Sequence, residues 1–112
     1  MNNIDLSTCE KMIYSVLDDT EHATLMEVTE NVNKRYGKDW RLQTVATFLN
    51  RMKEKGYIEV YRIGRYSHYV PLLTHDEMLV VELNNINKVY FNGRTDKFKM
   101  YLERFIYNVK EK

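Results

Sequence analysis

The chain has 112 residues, of which 44% are hydrophobic, and a formal net charge of +1, which fits one compact domain or one domain with a short appendage. It contains no apolar run as long as a membrane span, and its first residues lack a signal-peptide pattern, so we expect a soluble cytoplasmic protein without a membrane partner. Cys9 is the only cysteine, which excludes an internal disulfide and a thiolate metal cluster.

Three predicted helix starts share the capping-box signature, in which a hydroxyl group and a carboxylate three residues later each satisfy a backbone N–H group. These starts lie at Ser7, Thr24 and Thr74. We expect the first helix to end at about Asp18 and to be followed by a polar turn. The second helix is predicted over Leu25–Tyr36.

A third helix is predicted from Trp40 to Lys55, where Gly56 ends it. Its apolar residues form one stripe about 120° wide, which we expect to face the core; they are Leu42, Val45, Phe48, Leu49 and Met52. The other side carries side chains that can bind phosphate or read base edges. The candidate DNA-binding residues of this helix and its flank are Arg41, Gln43, Thr44, Thr47, Asn50 and Arg51.

A short hairpin follows, and it is the reason to prefer DNA binding over an ordinary solvated helix face. Tyr57–Ile63 alternates in period two, Gly64 and Arg65 suit a tight turn, and Tyr66–Pro71 is the returning strand. Arg62 and Arg65 would lie near the tip and complete the candidate DNA-binding set. Three tyrosines of the hairpin are expected to pack rather than to contact DNA; they are Tyr57, Tyr61 and Tyr69.

The charge is distributed unevenly along the chain. Residues 1–40 have a net charge of −4, residues 41–71 of +4 and residues 72–112 of +1. The positive charge therefore coincides with the third helix and the hairpin, as phosphate binding requires. The alternative is that these charges only solubilise a surface.

Two further helices are predicted from His75 to about Asn92 and over Asp96–Val109, separated at Asn92-Gly93. They are too apolar to be fully solvated and too short to form a core of their own. We expect a homodimer to cover them through a two-fold contact, the alternative being that they fold back on the first domain. The candidate dimerisation residues are Leu79, Leu83, Ile86, Tyr90, Phe98, Leu102, Phe105 and Ile106.

No catalytic or metal-binding pattern is present in the sequence. The three histidines are far apart in sequence and none is paired with Cys9 at a ligand spacing; they are His22, His68 and His75. There is no glycine-rich phosphate loop and no nucleophile motif. We therefore expect no enzyme, no cofactor and no metal, and Cys9 is most simply a buried small residue, with redox sensing as the alternative.

Together these patterns predict a mainly α fold with a small β-hairpin. A winged helix-turn-helix would occupy residues 1–72, and a helical dimerisation region residues 73–112. The predicted function is transcriptional repression through DNA binding. Two alternatives are a winged helix that binds protein instead of DNA, and a sensor of metabolites or redox state.

The sequence resembles the BlaI/MecI/CopY family of bacterial repressors, also called the penicillinase-repressor family, over about Ser7–Gly93. The resemblance rests on Trp40, on the run from Thr44 to Met52, and on Lys55-Gly56-Tyr57-Ile58. It continues in the hairpin through Gly64-Arg65, Tyr69 and Pro71. Together these motifs are more specific than a general helix-turn-helix pattern.

The resemblance implies a homodimer that binds a palindromic operator in double-stranded DNA and leaves it when an inducing signal arrives. It implies that Thr44, Thr47 and Arg51 lie at the DNA, and it leaves open a regulatory protease as a partner. Ala46 stands where many members have a larger, often basic residue, which leaves the base preference of this chain open. The Cys-x-Cys motif of the copper-responsive branch is absent, and the Asn-Phe cleavage site of the β-lactam-responsive branch is replaced by Phe91-Asn92.

Overall fold

The helices begin where the capping boxes predict them. The computed structural model describes residues 3–17 and 22–111. In chain order the elements are α1 (Thr8–Leu17), β1 (Ala23–Thr24), α2 (Leu25–Tyr36), α3 (Leu42–Glu54), β2 (Ile58–Ile63), β3 (Tyr66–Pro71), α4 (His75–Phe91) and α5 (Thr95–Glu111). This is a mainly α fold with a small antiparallel sheet, as predicted. Among the described helices, none combines the length and the hydropathy that a membrane span needs.

All three predicted capping boxes are confirmed. At the start of α2, the Thr24 N–H group donates to Glu27 Oε1 over 3.0 Å, and the Glu27 N–H group donates to Thr24 Oγ1 over 3.3 Å. The same pair of bonds joins Ser7 to Glu10 and Thr74 to Glu77. The predicted end of the first helix at Asp18 and most of the polar turn after it lie outside the described residues.

The chain divides into two compact units, one formed by residues 5–77 and the other by the residues up to Ile4 together with residues 78–112. In the first unit, β3 lies between β1 and β2 in an antiparallel sheet. The sequence did not reveal β1, because a strand of two residues has no alternation to detect. Its residues Ala23 and Thr24 pair with Tyr69 and His68.

The core of the first unit joins the inner faces of its three helices to the base of the hairpin. Tyr57 is buried there, and its hydroxyl accepts a 2.7 Å hydrogen bond from the Asp5 N–H group. Tyr69 is also buried, so both tyrosines pack as expected, and Tyr61, which is 41% exposed, stacks on the His68 ring. Other core side chains are Ile13, Leu17, Val28, Val32, Val45, Leu49, Met52 and Ile58.

One charged side chain is also buried in this core. Glu10 is 2% exposed, and its Oε1 accepts bonds from the Ser7 N–H group over 2.8 Å and from Lys55 Nζ over 3.0 Å. Burial alone would raise the pKa of Glu10. The hydrogen bonds from Ser7 and Lys55 and the charge of Lys55 outweigh that effect and hold the pKa below its ordinary value of 4.5.

The predicted third helix is wrong at its start. The helix α3 begins at Leu42 instead of Trp40, because the backbone of Trp40 is bonded on both sides to α2. Asn33 Nδ2 donates to the Trp40 carbonyl over 2.9 Å, and the Trp40 N–H group donates to Asn33 Oδ1 over 3.0 Å. Arg41 then has extended backbone as the N-cap residue. Leu42, expected in the core, is 43% exposed.

In the second unit, α4 and α5 are joined by a tight turn. Asn92 and Gly93 both have positive φ, of 53° and 77°, so the predicted break is confirmed. The Phe91 ring stacks on Phe98 with 5.2 Å between centroids and lies 5.4 Å from the Tyr101 ring. The helix α5 is slightly longer than predicted, since it starts at Thr95 and extends beyond Val109.

Candidate nucleic-acid interface

The helix α3 has one face fixed in the core and one face open to solvent. Val45, Leu49 and Met52 are fully buried, which sets the rotation of the helix about its axis. Thr47 Oγ1 donates to the Gln43 carbonyl over 3.0 Å. All six predicted DNA-binding residues of this segment are exposed and lie on or beside the open face: Arg41, Gln43, Thr44, Thr47, Asn50 and Arg51.

The start of α3 differs from the three capped helix starts. Its N-cap residue, Arg41, makes no side-chain cap hydrogen bond, and the first turn contains no acidic residue. The first backbone N–H groups of a helix lack partners inside the helix, and the helix dipole makes this end positive. These groups are therefore available to an anion such as phosphate.

The hairpin holds two arginines at its tip. Gly64 has a φ of +62° in the turn, which glycine adopts without strain. Arg62 Nη2 donates to the Arg65 carbonyl over 3.0 Å, so the Arg62 side chain closes the tip and retains further N–H donors. Both arginines are exposed, and the structure thus brings two cations to the tip of one hairpin.

One cation in this region has a structural role. Lys55 is bound to the buried Glu10, so its charge is partly neutralised. Four of the other bases of residues 41–71 are predicted DNA-binding residues, and the fifth, Lys53, is also exposed. The free positive charge therefore lies on the open face of α3 and on the hairpin.

An open recess of about 560 Å³ lies where the start of α3 faces the hairpin and the start of α2. Three exposed apolar residues line it, and the sequence did not predict them there, since Leu42 was expected in the core and no local pattern marks the other two. They are Met26, Leu42 and Tyr66, with exposed fractions of 58%, 43% and 63%. Arg65 and Glu27 also line the recess. We call it the α3–hairpin recess.

Two histidines that are far apart in sequence meet beside the sheet. His22 Nδ1 lies 3.0 Å from His68 Nδ1, and the His68 ring stacks on Tyr61 with 5.9 Å between centroids. The pKa of Glu27 lies below 4.5 mainly because of its hydrogen bonds with Thr24. The electrostatic influence of His68 and His22 lowers it further. In residues 3–17 and 22–111, no group of three or more His, Cys, Asp and Glu side chains is placed to hold a metal ion.

The second unit exposes much apolar surface. Of the eight predicted dimerisation residues, Leu83 and Phe98 are half-buried. The other six are exposed: Leu79, Ile86, Tyr90, Leu102, Phe105 and Ile106. Contiguous exposed apolar surface usually marks an interface, which leaves the predicted dimer contact as an open prediction.

Comparison with known proteins gives consistent matches. The family model described as penicillinase repressor matches residues 6–109. The methicillin resistance regulatory protein MecI of Staphylococcus aureus (strain N315) is 23% identical over 101 residues, which cover 89% of this chain and 80% of MecI.

Solved structures share the winged-helix fold. The solution structure of the DNA-binding domain of the repressor BlaI has a TM-score of 0.56 and 23% identity, over 65% of this chain and 87% of that domain. RosR of H. salinarum has a TM-score of 0.59 and 18% identity, over 93% of this chain and 96% of RosR.

Proposed function

We propose that this chain, which belongs to the penicillinase repressor family, acts as a homodimer on a palindromic operator. As a member of that family it is a winged-helix transcriptional repressor that binds DNA, and not an enzyme. Residues 1–72 would bind the DNA in the cytoplasm, and residues 73–112 would dimerise. An inducing signal would release the protein from the operator. A regulatory protease as the agent of release stays a prediction.

The observation that carries this proposal is the open polar face of α3 beside the cationic hairpin. A recognition helix uses its N-terminal residues to contact base edges in the major groove. The exposed amide and hydroxyl groups of Gln43, Thr47 and Asn50 suit base edges or phosphate. The uncapped start of α3 would bind a backbone phosphate through its N–H groups.

The wing would supply phosphate contacts next to this helix. The guanidinium groups of Arg62 and Arg65 are exposed at the hairpin tip and can each bind phosphate through more than one N–H group. In a two-fold dimer, the two recognition helices would read half-sites one helical turn, about 34 Å, or a multiple of it apart.

The salt dependence of binding tests this assignment. An operator is first selected from genomic fragments, and its affinity for the full chain is then measured by fluorescence anisotropy at several salt concentrations. Replacing Arg51 or Arg65 by Ala should weaken binding and flatten the log–log salt dependence by roughly 0.9 for each lost phosphate contact. Lys34→Ala is the matched control, because Lys34 is an exposed cation near the end of α2.

The proposed DNA face is wrong if both arginine variants bind the operator as tightly as the unchanged protein. A winged helix that binds protein instead of DNA would show weak binding to every duplex at moderate salt. Circular dichroism of each variant checks that the helices are intact, so that a loss of affinity reports on contact and not on unfolding.

A further inference from the structure

The α3–hairpin recess combines exposed apolar side chains with an exposed cation. Met26 and Tyr66 are more than half exposed, and Leu42 is 43% exposed. Arg65 borders the same recess. Apolar side chains next to a cation suit a ligand in which an apolar group and an anionic group are neighbours.

The position of the recess identifies that ligand, if the proposed function holds. The major and minor grooves of a duplex are separated by one sugar–phosphate strand. A protein that places α3 in the major groove and the hairpin in the adjacent minor groove must therefore face that strand with the surface between them. In this chain, Leu42 belongs to α3 and Tyr66 to the hairpin, and both line the recess between these elements.

We propose that the α3–hairpin recess seats one sugar–phosphate strand of the operator. Met26, Leu42 and Tyr66 pack against deoxyribose, and Arg65 binds the neighbouring phosphate. This rests on the proposed function and adds apolar residues to its DNA contacts. It also accounts for the exposure of Leu42, which was expected in the core.

The two charged residues of the recess favour one position for the phosphate. Glu27 lines the recess, and its carboxylate, which accepts a bond from the Thr24 N–H group over 3.0 Å, repels phosphate. Arg65 of the hairpin also lines the recess and attracts phosphate. The phosphate is thus directed to the hairpin side, while the sugar lies over Met26 and Leu42.

Apolar contact with sugar has a signature that separates it from base reading and from phosphate binding. Deoxyribose is the same in every sequence, so the contact contributes equally to operator and unrelated DNA. It neutralises no phosphate and releases no counterion, so it leaves the salt dependence unchanged. A residue that reads bases changes the ratio of the two affinities, and a cation changes the slope.

Met26→Gln and Leu42→Gln test the proposal in the full chain, with Leu72→Gln as the matched control. Leu72 is 45% exposed and lies outside the recess. Affinity is measured for the selected operator and for an unrelated duplex of equal length, over a series of salt concentrations. We expect the two recess variants to weaken binding to both duplexes by the same factor, about three- to tenfold, as for partial burial of one apolar side chain. The salt slope and the control should not change.

Three results would overturn the proposal. Unchanged binding of both recess variants would show that the recess does not face DNA. A loss confined to the operator would show that these side chains read bases, and a flatter salt slope would show that they act through phosphate. Failure of the proposed function itself looks different, because the unchanged protein would then show no salt-dependent binding to any duplex.

Discussion

At the scale of single residues, the buried Glu10 ties the start of α1 to the end of α3. Its carboxylate is held by the Ser7 N–H group and by Lys55, which lies 45 residues further along the chain. A buried charge that loses its partner is strongly destabilising, even though the intact pair adds little compared with an apolar pair. The pair therefore constrains where α3 ends.

Lys55→Met should lower the free energy of unfolding at pH 7 by about 1–3 kcal/mol, because Glu10 stays charged and buried. The folded pKa of Glu10 lies below its ordinary value of 4.5, so its ionised form stabilises the fold above that pH. The contribution is lost as the pH falls through the folded pKa. The deficit of the variant should thus shrink in acid.

Urea unfolding at pH 7 and at pH 3 measures both effects. Lys53→Met is the control, because Lys53 is an exposed base on the same helix, and we expect it to change stability by less than about 0.5 kcal/mol. A deficit of Lys55→Met that is equal at both pH values would mean that Glu10 is not its cause.

At the scale of elements, the hairpin depends on one backbone conformation. Gly64 has a φ of +62°, and a Cβ atom built on it would meet nothing within 4 Å. A side chain there is therefore disfavoured by its own backbone and not by a neighbour. The shape of the wing tip, and with it the place of Arg62 and Arg65, follows from this residue.

Gly64→Ala should destabilise the first unit by about 1 kcal/mol, the usual cost of the left-handed conformation for a residue with a Cβ atom. Gly64→Asn should cost less, because asparagine tolerates this conformation. Thermal unfolding of the two variants side by side provides the measurement. Equal stability of the Ala variant and the unchanged protein would show that the turn relaxes out of this conformation.

The elements that the sequence predicted are those specified by residues close to one another in the sequence. Capping boxes operate over three residues, and both the Asn92-Gly93 break and the Gly64 turn are local. What it missed depends on contacts across the chain. Asn33 fixes the backbone of Trp40, and this delays the start of α3.

The candidate site divides in the same way. The helical repeat alone predicted the open face of α3, because one strongly apolar stripe fixes the opposite side. The α3–hairpin recess could not be predicted, since it exists only where three elements meet. The role of Lys55 was hidden for the same reason, because its partner Glu10 is remote in sequence and looked like an ordinary capping residue.

At the scale of the whole molecule, oligomeric state is the main open prediction. Phe105 and Tyr107 are both 63% exposed on α5. Side chains two positions apart in an α-helix are rotated by about 200° around its axis, so the two point in nearly opposite directions. Only Phe105 belongs to the predicted dimerisation set. The two side chains are therefore a matched pair, since they are equally exposed but lie on different faces of α5.

Phe105→Glu should convert a dimer to a monomer, because it places a charge in an apolar contact. Tyr107→Glu should leave the dimer intact. Sedimentation equilibrium at low micromolar concentration distinguishes them. Dimer loss in both variants, or in neither, would show that the predicted face of α5 is not the contact, and a monomeric unchanged protein would remove the dimer from the proposal.

The two-residue strand β1 has a consequence for how the first unit opens. Thr24 pairs with His68 on the wing strand and also caps α2. Because the same residue makes both contacts, we expect the first turn of α2 and the wing to open together. A duplex bound at the wing would then slow amide exchange throughout the first turn of α2, and not only at Met26, where the proposed sugar contact lies.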